Sequence, residues 1–547
     1  MNNIAVVDLF AGPGGLGEGF SSLRDEYGNS VFKIALSIEM QTDAHKTLLL
    51  RSFYRKFSQD KVPSEYYDYL KGKIDTQETL FSLYPEEAGK AKKEAWCAKL
   101  GSNGSLNHAV DTRIRKIKEE NGDRWILIGG PPCQAYSVIG RSRNKGIKDY
   151  IPEKDPKNYL YKEYLRIIAE HLPAVFIMEN VTGMLSARLN GESVFEKILS
   201  DLRSPLKTLM ADGNQNIDSN NDYDIYPLIR PKDGDAAIPD FSNPRDYVIK
   251  SENFGIPQRR HRVVLFGVRK KYSSVRPDTL KEKKNTIAVM DVISDLPELR
   301  SGLSRNKDSM EKWKNRVLQL ERNKWFQEYM KEKGDVQKCM RAALKDIENQ
   351  DNLETGGQFV HGKRNCKPEN SWWYKDERLD GACNHQSRLH MTGDLHRYMY
   401  AACFSRCFRV SPKIHEFPKE LMPKHKNART GKFNDRFRVQ VSDTPSTTIT
   451  SHISKDGHYF IHPDPSQCRS FTVREAARLQ TFPDNYFFEG SRTQQYIQVG
   501  NAVPPLLARQ IAEIVYQVIK ETKDYGYPDS RKKKLEYVSH KKSRYEA

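Results

Sequence analysis

The chain has 547 residues, room for a large core and more than one domain, and 37% of them are apolar. Its 89 lysines and arginines exceed 71 acids, a formal net charge of +18 that favours a polyanionic partner bound through phosphates. Eight cysteines are too few for a disulfide framework, and no run nears the roughly 20 apolar residues a bilayer span needs, which excludes a secreted staple fold and a membrane-spanning one.

In chain order, Ile4–Phe10 (IAVVDLF) is a short apolar run closed by glycines, read as a buried strand entering a tight loop. It starts too early to leave room for a targeting segment, so the expected compartment is a reducing, bacterial-type cytoplasm. Gly15–Leu23 reads as a helix start and Phe32–Glu39 as a second strand ending on an acid. Residues 44–110, polar and rich in Lys and Tyr, read as an insertion. The pattern resumes with a strand at Trp125–Ile128, a helix at Tyr159–His171, and strands at Ala174–Met178 and Arg262–Val268. Strands alternating with helices predict a parallel α/β sheet. Residues 270–438 are strongly charged with scattered aromatics and read as a separate domain. Helical spacing returns at Val473–Phe482 and Pro504–Lys520, and a basic tail follows over 521–547, expected to be disordered.

Four motifs carry chemistry. Asp8–Gly17 (DLFAGPGGLG) supplies glycines that let a nucleotide-like cofactor approach the backbone, and Glu39 after the second strand can accept both hydroxyls of a ribose. Taken alone this loop does not separate a nicotinamide cofactor from S-adenosylmethionine. Gly129-Gly130-Pro131-Pro132-Cys133-Gln134 holds a cysteine in a stiff loop at the carboxyl edge of a sheet, where open α/β folds bind ligands. Glu179-Asn180-Val181 sets a carboxylate at the end of another strand. In Gln258-Arg259-Arg260-His261-Arg262, alternation places Arg260 and Arg262 on one face.

Together with RSFTVREAARLQTFPD (469–484) and QVGNAVPP (498–505), these motifs resemble, in order and rough spacing, those of the DNA cytosine-5 methyltransferases of bacterial restriction-modification systems. The resemblance implies a Rossmann-like S-adenosylmethionine-dependent methyltransferase fold: residues 1–269 as catalytic domain, 270–438 as target recognition domain, and 439–520 as the returning part of the catalytic domain. It implies Cys133, Glu179, Arg260 and Arg262 as the reaction centre. Phe10, Gly12, Gly15, Glu39, Leu160 and Asn501 would form the cofactor pocket, with Asp111 as the acid near the adenine amino group. One departure is Tyr136, where the family usually has phenylalanine.

On that resemblance the Cys133 thiolate attacks carbon 6 of a flipped-out cytosine, and this makes carbon 5 nucleophilic. Arg141, Arg143 and Lys145 suit a loop closing over phosphates. The expected partner is double-stranded DNA, with a cognate restriction endonuclease acting on the same sequence, and the expected state is a monomer. An RNA cytosine methyltransferase shares the fold, a noncatalytic DNA-binding relative would have no need of the thiol, and a dehydrogenase rests on the glycine pattern alone. Cys383, His385, Cys403 and Cys407 lack the paired close spacing of a structural zinc site, so no metal is expected.

Overall fold

A computed structural model describes residues 3–102, 104–132, 158–189, 191–210, 218–230, 243–304, 307–328, 333–362, 367–423 and 434–524. β1 (Ile4–Leu9) leads to α1 (Gly15–Ser21), β2 (Phe32–Glu39), α2 (Thr42–Tyr54), α3 (Ser64–Leu70), α4 (Gln77–Leu83) and α5 (Pro85–Glu94). β3 (Ala95–Cys97), α6 (Gly104–Asn121), β4 (Ile126–Gly129), α7 (Asn158–His171), β5 (Val175–Val181) and α8 (Val194–Arg203) follow. β6 (Tyr223–Tyr226), β7 (Val248–Lys250) and β8 (His261–Arg269) complete one sheet, ordered β3-β2-β1-β4-β5-β8-β6, with β7 pairing β8.

Both faces of this sheet are covered, which is why its central strands read as continuous apolar runs rather than alternating ones. Val6 and Ile128 enter one core, whereas Val7, Leu9 and Leu127, their neighbours in the pleat, enter the other. The chain reverses order beside β1, so the carboxyl ends of β1 and β4 open a crevice there, the usual ligand position of such sheets.

The structure differs from the sequence reading in two respects. The sheet is mixed: β1 to β5 run parallel, but β8 pairs antiparallel with both β5 and β6. Among the described residues, short 3-10 turns lie between β6, β7 and β8, and strands joined without a helical crossover return antiparallel. The stretch 44–110 is also more than an insertion. α2 follows β2, β3 extends the sheet in parallel beside β2, and α6 returns the chain to β4. What departs from a plain crossover is α3 to α5, which build a local aromatic core around Phe53, Tyr66, Tyr69 and Phe81.

Farther along lie α9 (Met310–Leu318), α10 (Gly334–Glu348), the hairpin β9 (Gly356–His361) and β10 (Gly381–Gln386), and α11 (Thr392–Phe408). α9, α10 and α11 surround a core of their own that includes Trp313, Met340, Leu344, Tyr398 and Phe437, and it reaches on to Ile461 and Cys468, whereas β9 and β10 pack elsewhere. Within 270–438, however, Val289, Val292, Ile293, Trp373 and Tyr374 pack into the core beneath the sheet. The chain then gives α12 (Val473–Leu479), α13 (Arg492–Asn501) and α14 (Pro505–Asp524), whose apolar face seals the sheet against α1. Among the described residues no helix is long and apolar enough to cross a membrane.

Candidate active site

The glycine loop leaves β1 through two unusual residues. Phe10 has φ 57° and Gly12 φ 57°, both left-handed, and Gly14 follows at φ 97°. A Cβ on Gly14 would fall 2.8 Å from Leu48, and one on Gly15 would fall 2.2 Å from the Val503 carbonyl, so these glycines are required by packing. A Cβ on Gly12 would meet nothing within 4 Å, so this turn faces open space. Across it, Glu39 at the end of β2 accepts the Gly12 amide at 2.9 Å and the Gln41 amide at 2.7 Å. Burial raises the pKa of Glu39, opposed by these amides. Beneath the loop, buried Arg51 pairs with Glu18, and Arg55 bridges Glu18 and Glu94.

Asp8, the acid of β1, is wholly buried, and apart from the nearby Gly17 amide, which is not well aligned, its carboxylate oxygens have no hydrogen-bond partner. Burial pushes its pKa up to about 8, against the attraction of Arg55.

S-adenosylmethionine fits this cradle. Glu39 could accept a ribose diol beside the open Gly12 turn, and half-buried Phe10 offers apolar surface at the loop, while Leu160 is buried near the start of α7. Asn501 ends α13 with its side chain exposed, two residues before the Val503 carbonyl that lies against Gly15.

Asp111 does not belong here. It sits midway along α6, accepts both contacts of Arg166 Nη1 at 3.0 Å, and meets His171 Nε2 at 2.8 Å. His171 ends α7, the helix end that feeds the start of β5, so Asp111 faces the amino edge of the sheet, away from the glycine loop. The register of the sequence reading fails because β3 closes at Cys97, well before α6. The chain that leaves β2 and β3 near the cradle is Met40 and Cys97–Ala98, where the Ala98 amide donates to the Glu39 carbonyl at 3.0 Å. No local pattern marked that short, weakly apolar strand.

The residues that the sequence marks as a candidate reaction centre lie at the ends of β4, β5 and β8. β5 extends through Val181, so Glu179-Asn180-Val181 is its last turn of pleat rather than a loop after it. Glu179 lies opposite Val264 of β8, and Arg262 opposite Val181. The Arg262 Nε stands 2.9 Å from Glu179 Oε1, off the hydrogen-bond axis, so Oε1 has charge contact but no aligned donor. The glycine pair lets the β4 loop pass: a Cβ on Gly130 would fall 3.1 Å from Glu179 Oε2, and one on Gly129 would fall 2.4 Å from the Leu9 carbonyl. Asn180 donates to the Pro131 carbonyl at 3.2 Å and so holds the strand end that leads to Cys133. Cys133 itself, with Tyr136, Arg141, Arg143 and Lys145, lies outside the described residues.

Arg260 and Arg262 both approach Glu179, as the alternation predicted, and line one small cavity with Leu16, Ile177 and Val503. Their uses differ. Arg260 is buried and gives its guanidinium to the carbonyls of Ile449 at 3.1 Å, Gly500 at 3.2 Å and Asn501 at 3.5 Å. Burial, then the Arg262 charge, lowers its pKa well below that of a free guanidinium. It is a positioning residue that ties the β8 entry to the returning C-terminal segment. Gln258, unassigned on sequence, does the same by donating to the Leu479 carbonyl and accepting the Ile449 amide. His385 spends its ring nitrogens on Thr472 and Pro297, and Cys383 packs in a different core from Cys403, so these residues form no joint metal cradle.

A family model described as C-5 cytosine-specific DNA methylase matches residues 86–205 and 245–517. Among relatives, the type II methyltransferase M.Bpa9945I of Bacillus paralicheniformis is 33% identical over 94% of this chain and 99% of its own. M.AgeI of Thalassovita gelatinovora is 27% identical over 73% of this chain and 86% of its own. The DNA (cytosine-5-)-methyltransferase M.ApeKI of Aeropyrum pernix is 24% identical over 73% and 82%. The open glycine cradle, the Glu179–Arg262 pair beside the Gly-Gly-Pro-Pro strand end, and a family match running through both halves that build them lead to one conclusion: the chain belongs to the C-5 cytosine-specific DNA methylase family and is a DNA cytosine-5 methyltransferase.

Proposed function

We propose that this enzyme uses S-adenosyl-L-methionine to methylate a flipped-out cytosine in a specific duplex sequence, through a covalent bond from Cys133 to carbon 6. The observation that carries the reading is Glu179: a half-buried carboxylate with one oxygen lacking an aligned donor, held by Arg262 beside the loop whose next residue is Cys133. A cytosine in the space beside it would present ring nitrogen 3 and the exocyclic amine to that carboxylate. With the Glu179 carboxyl group protonated, or sharing a proton with ring nitrogen 3, binding there stabilises negative charge as the thiolate adds. Phe10, Gly12, Gly15, Glu39, Leu160 and Asn501 would hold the cofactor, which supplies an electrophilic methyl group when bound. The Cys133 thiolate forms the bond to carbon 6, carbon 5 takes the methyl group, a base removes the carbon 5 proton, and elimination breaks the carbon 6–sulfur bond to release the thiolate. Arg262 orients Glu179, and Asn180 orients the backbone before Cys133.

Residues 270–438 are proposed to read the target sequence, with the core around Trp313, Met340 and Tyr398 as their body. The net charge of +18 supports a duplex DNA partner. The names of the relatives support a restriction-modification setting, with an endonuclease cutting the same sequence as the functional counterpart and the methyltransferase acting as a monomer.

DNA carrying 5-fluorocytosine at the target tests the covalent step. Fluorine cannot leave as a cation, so the wild-type chain should form a denaturant-stable adduct, and Cys133→Ser should bind the same DNA without forming it. Equal adduct from both chains, or none from the wild type despite binding, would refute the assignment of Cys133.

A further inference from the structure

α10 and α11 pack side by side in the core of the segment 303–439, and three cysteines meet at their contact. Cys403 and Cys407 lie four residues apart, hence on one face of α11. Cys403 is buried, Cys407 half-buried, and Cys339 of α10 half-buried against the same core. The Cys339 thiol faces Cys403, Cys407 and the Arg406 guanidinium closely enough to be perturbed by all three, and the Arg406 side chain is 58% exposed. Nothing in the methyl transfer uses these groups.

We propose that Cys339 is a peroxide-reactive thiol that closes a disulfide to the cysteine pair of α11. Three features support the assignment. Cys339 is open enough for a small oxidant, it adjoins a cation, and a resolving thiol is in place, the combination that marks redox-sensitive cysteines. The acidities divide accordingly: contacts from Cys403, against burial, and then Arg406 pull the Cys339 thiol down to about 7, whereas burial raises Cys403 and Cys407. The neighbours are therefore neutral S–H donors that favour the Cys339 thiolate. A metal cradle is a poorer fit. Among the described residues the group of three ligating side chains with all ligand atoms within 4.8 Å is Asp111, Glu170 and His171, not the three sulfurs, and a disulfide needs only two of them.

The chemistry balances with a peroxide as oxidant. The Cys339 thiolate attacks one peroxide oxygen, the O–O bond breaks, and hydrogen peroxide leaves a sulfenic acid and one water once a proton is taken up. The second thiol, losing its proton, attacks the Cys339 sulfur, and hydroxide leaves as a second water. Two thiols are oxidised by two electrons in total and one peroxide is reduced.

The test uses the full-length wild-type enzyme, exposed to one equivalent of hydrogen peroxide, quenched with iodoacetamide and mapped by peptide mass spectrometry. Cys339 should lose alkylation about tenfold faster than exposed Cys97, and a cross-linked peptide should join Cys339 to Cys403 or Cys407. The Cys133 peptide is followed separately, so its oxidation does not enter the comparison. In the Cys403→Ala, Cys407→Ala double variant, Cys339 should stop as a sulfenic acid captured by dimedone. Cys339→Ala should keep basal methylation in reducing buffer and lose the cross-link. Oxidation of Cys339 no faster than that of Cys97, or a wild-type protein in which oxidised Cys339 never joins α11, would overturn the proposal.

Discussion

Asp111 and Asp8 illustrate how differently two buried acids of one domain are used. Asp111 is paired with Arg166 and hydrogen-bonded to His171. Asp111→Asn should therefore leave S-adenosylmethionine affinity within about twofold while costing about 1–3 kcal/mol of stability, the range for a buried partner left unmatched. Isothermal titration beside urea unfolding distinguishes this from a cofactor role, which would show as a large loss of affinity in a stable protein. Asp8 has no such partner, and its folded pKa of about 8 lies above the ordinary 3.8. Between those values the folded state binds a proton that the unfolded chain does not. The contribution of Asp8 is thus greatest below the unfolded value and is lost as pH rises towards 8. Asp8→Asn should raise the melting temperature at pH 8 more than at pH 5, and equal shifts at both would contradict a neutral Asp8 in the fold. That Glu179, Arg260 and Arg262 come together in one cavity was legible because they sit in dense motifs with few alternative registers. Asp111 was misplaced because its neighbourhood is set by tertiary packing between α6 and α7. The tie from Asn180 to Pro131 was hidden for the same reason, since only the fold brings the two strand ends together.

At the scale of elements, the strands of the sheet and the amphipathic α14 were legible from apolar runs and helical spacing. β3, with Ala95, Trp96 and Cys97, carries almost no pattern because its place is fixed by pairing with Ser37, Ile38 and Glu39. The antiparallel β8 was equally unmarked, as a strand's direction depends on its connection and not on its residues. Helix contacts impose their own limits. A Cβ on Gly19 would lie 2.4 Å from Ala508 Cβ and 2.5 Å from the Pro505 carbonyl. Gly19→Ala should push α14 from α1 and destabilise the enzyme by about 1–3 kcal/mol, the usual cost of overpacking. Denaturant unfolding reads this loss, and a neutral effect would mean that the two helices separate freely.

For the whole molecule, the division of labour follows from where the cores lie. The sheet core and the glycine cradle are shared by the first 270 residues and the last hundred or so, whereas the core around Trp313 and Tyr398 is held between them. Exchanging 270–438 for the equivalent segment of a related enzyme should transfer the target sequence and preserve the chemistry. Val289, Val292, Trp373 and Tyr374 must be kept, because they pack beneath the sheet. Sequencing methylated cytosines in DNA from expressing cells gives the answer. An active chimera that retains its original target would place recognition elsewhere, in α3 to α5 above all.

The contact between Tyr486 and the Pro13 carbonyl joins positions 473 residues apart, and α14 then closes over α1. During translation the amino-terminal strands leave the ribosome long before the helix that must cover them. The half built on β1, α1 and β2 stays an open shell, with the apolar faces of Leu16 and Phe20 uncovered, until α14 emerges. A stalled or truncated product would then be idle and exposed to quality-control proteases rather than a partly active modifier of the genome. By the same connectivity, a chain nicked within the central segment keeps both pieces of the catalytic half and can be expected to reassemble from two separately made fragments.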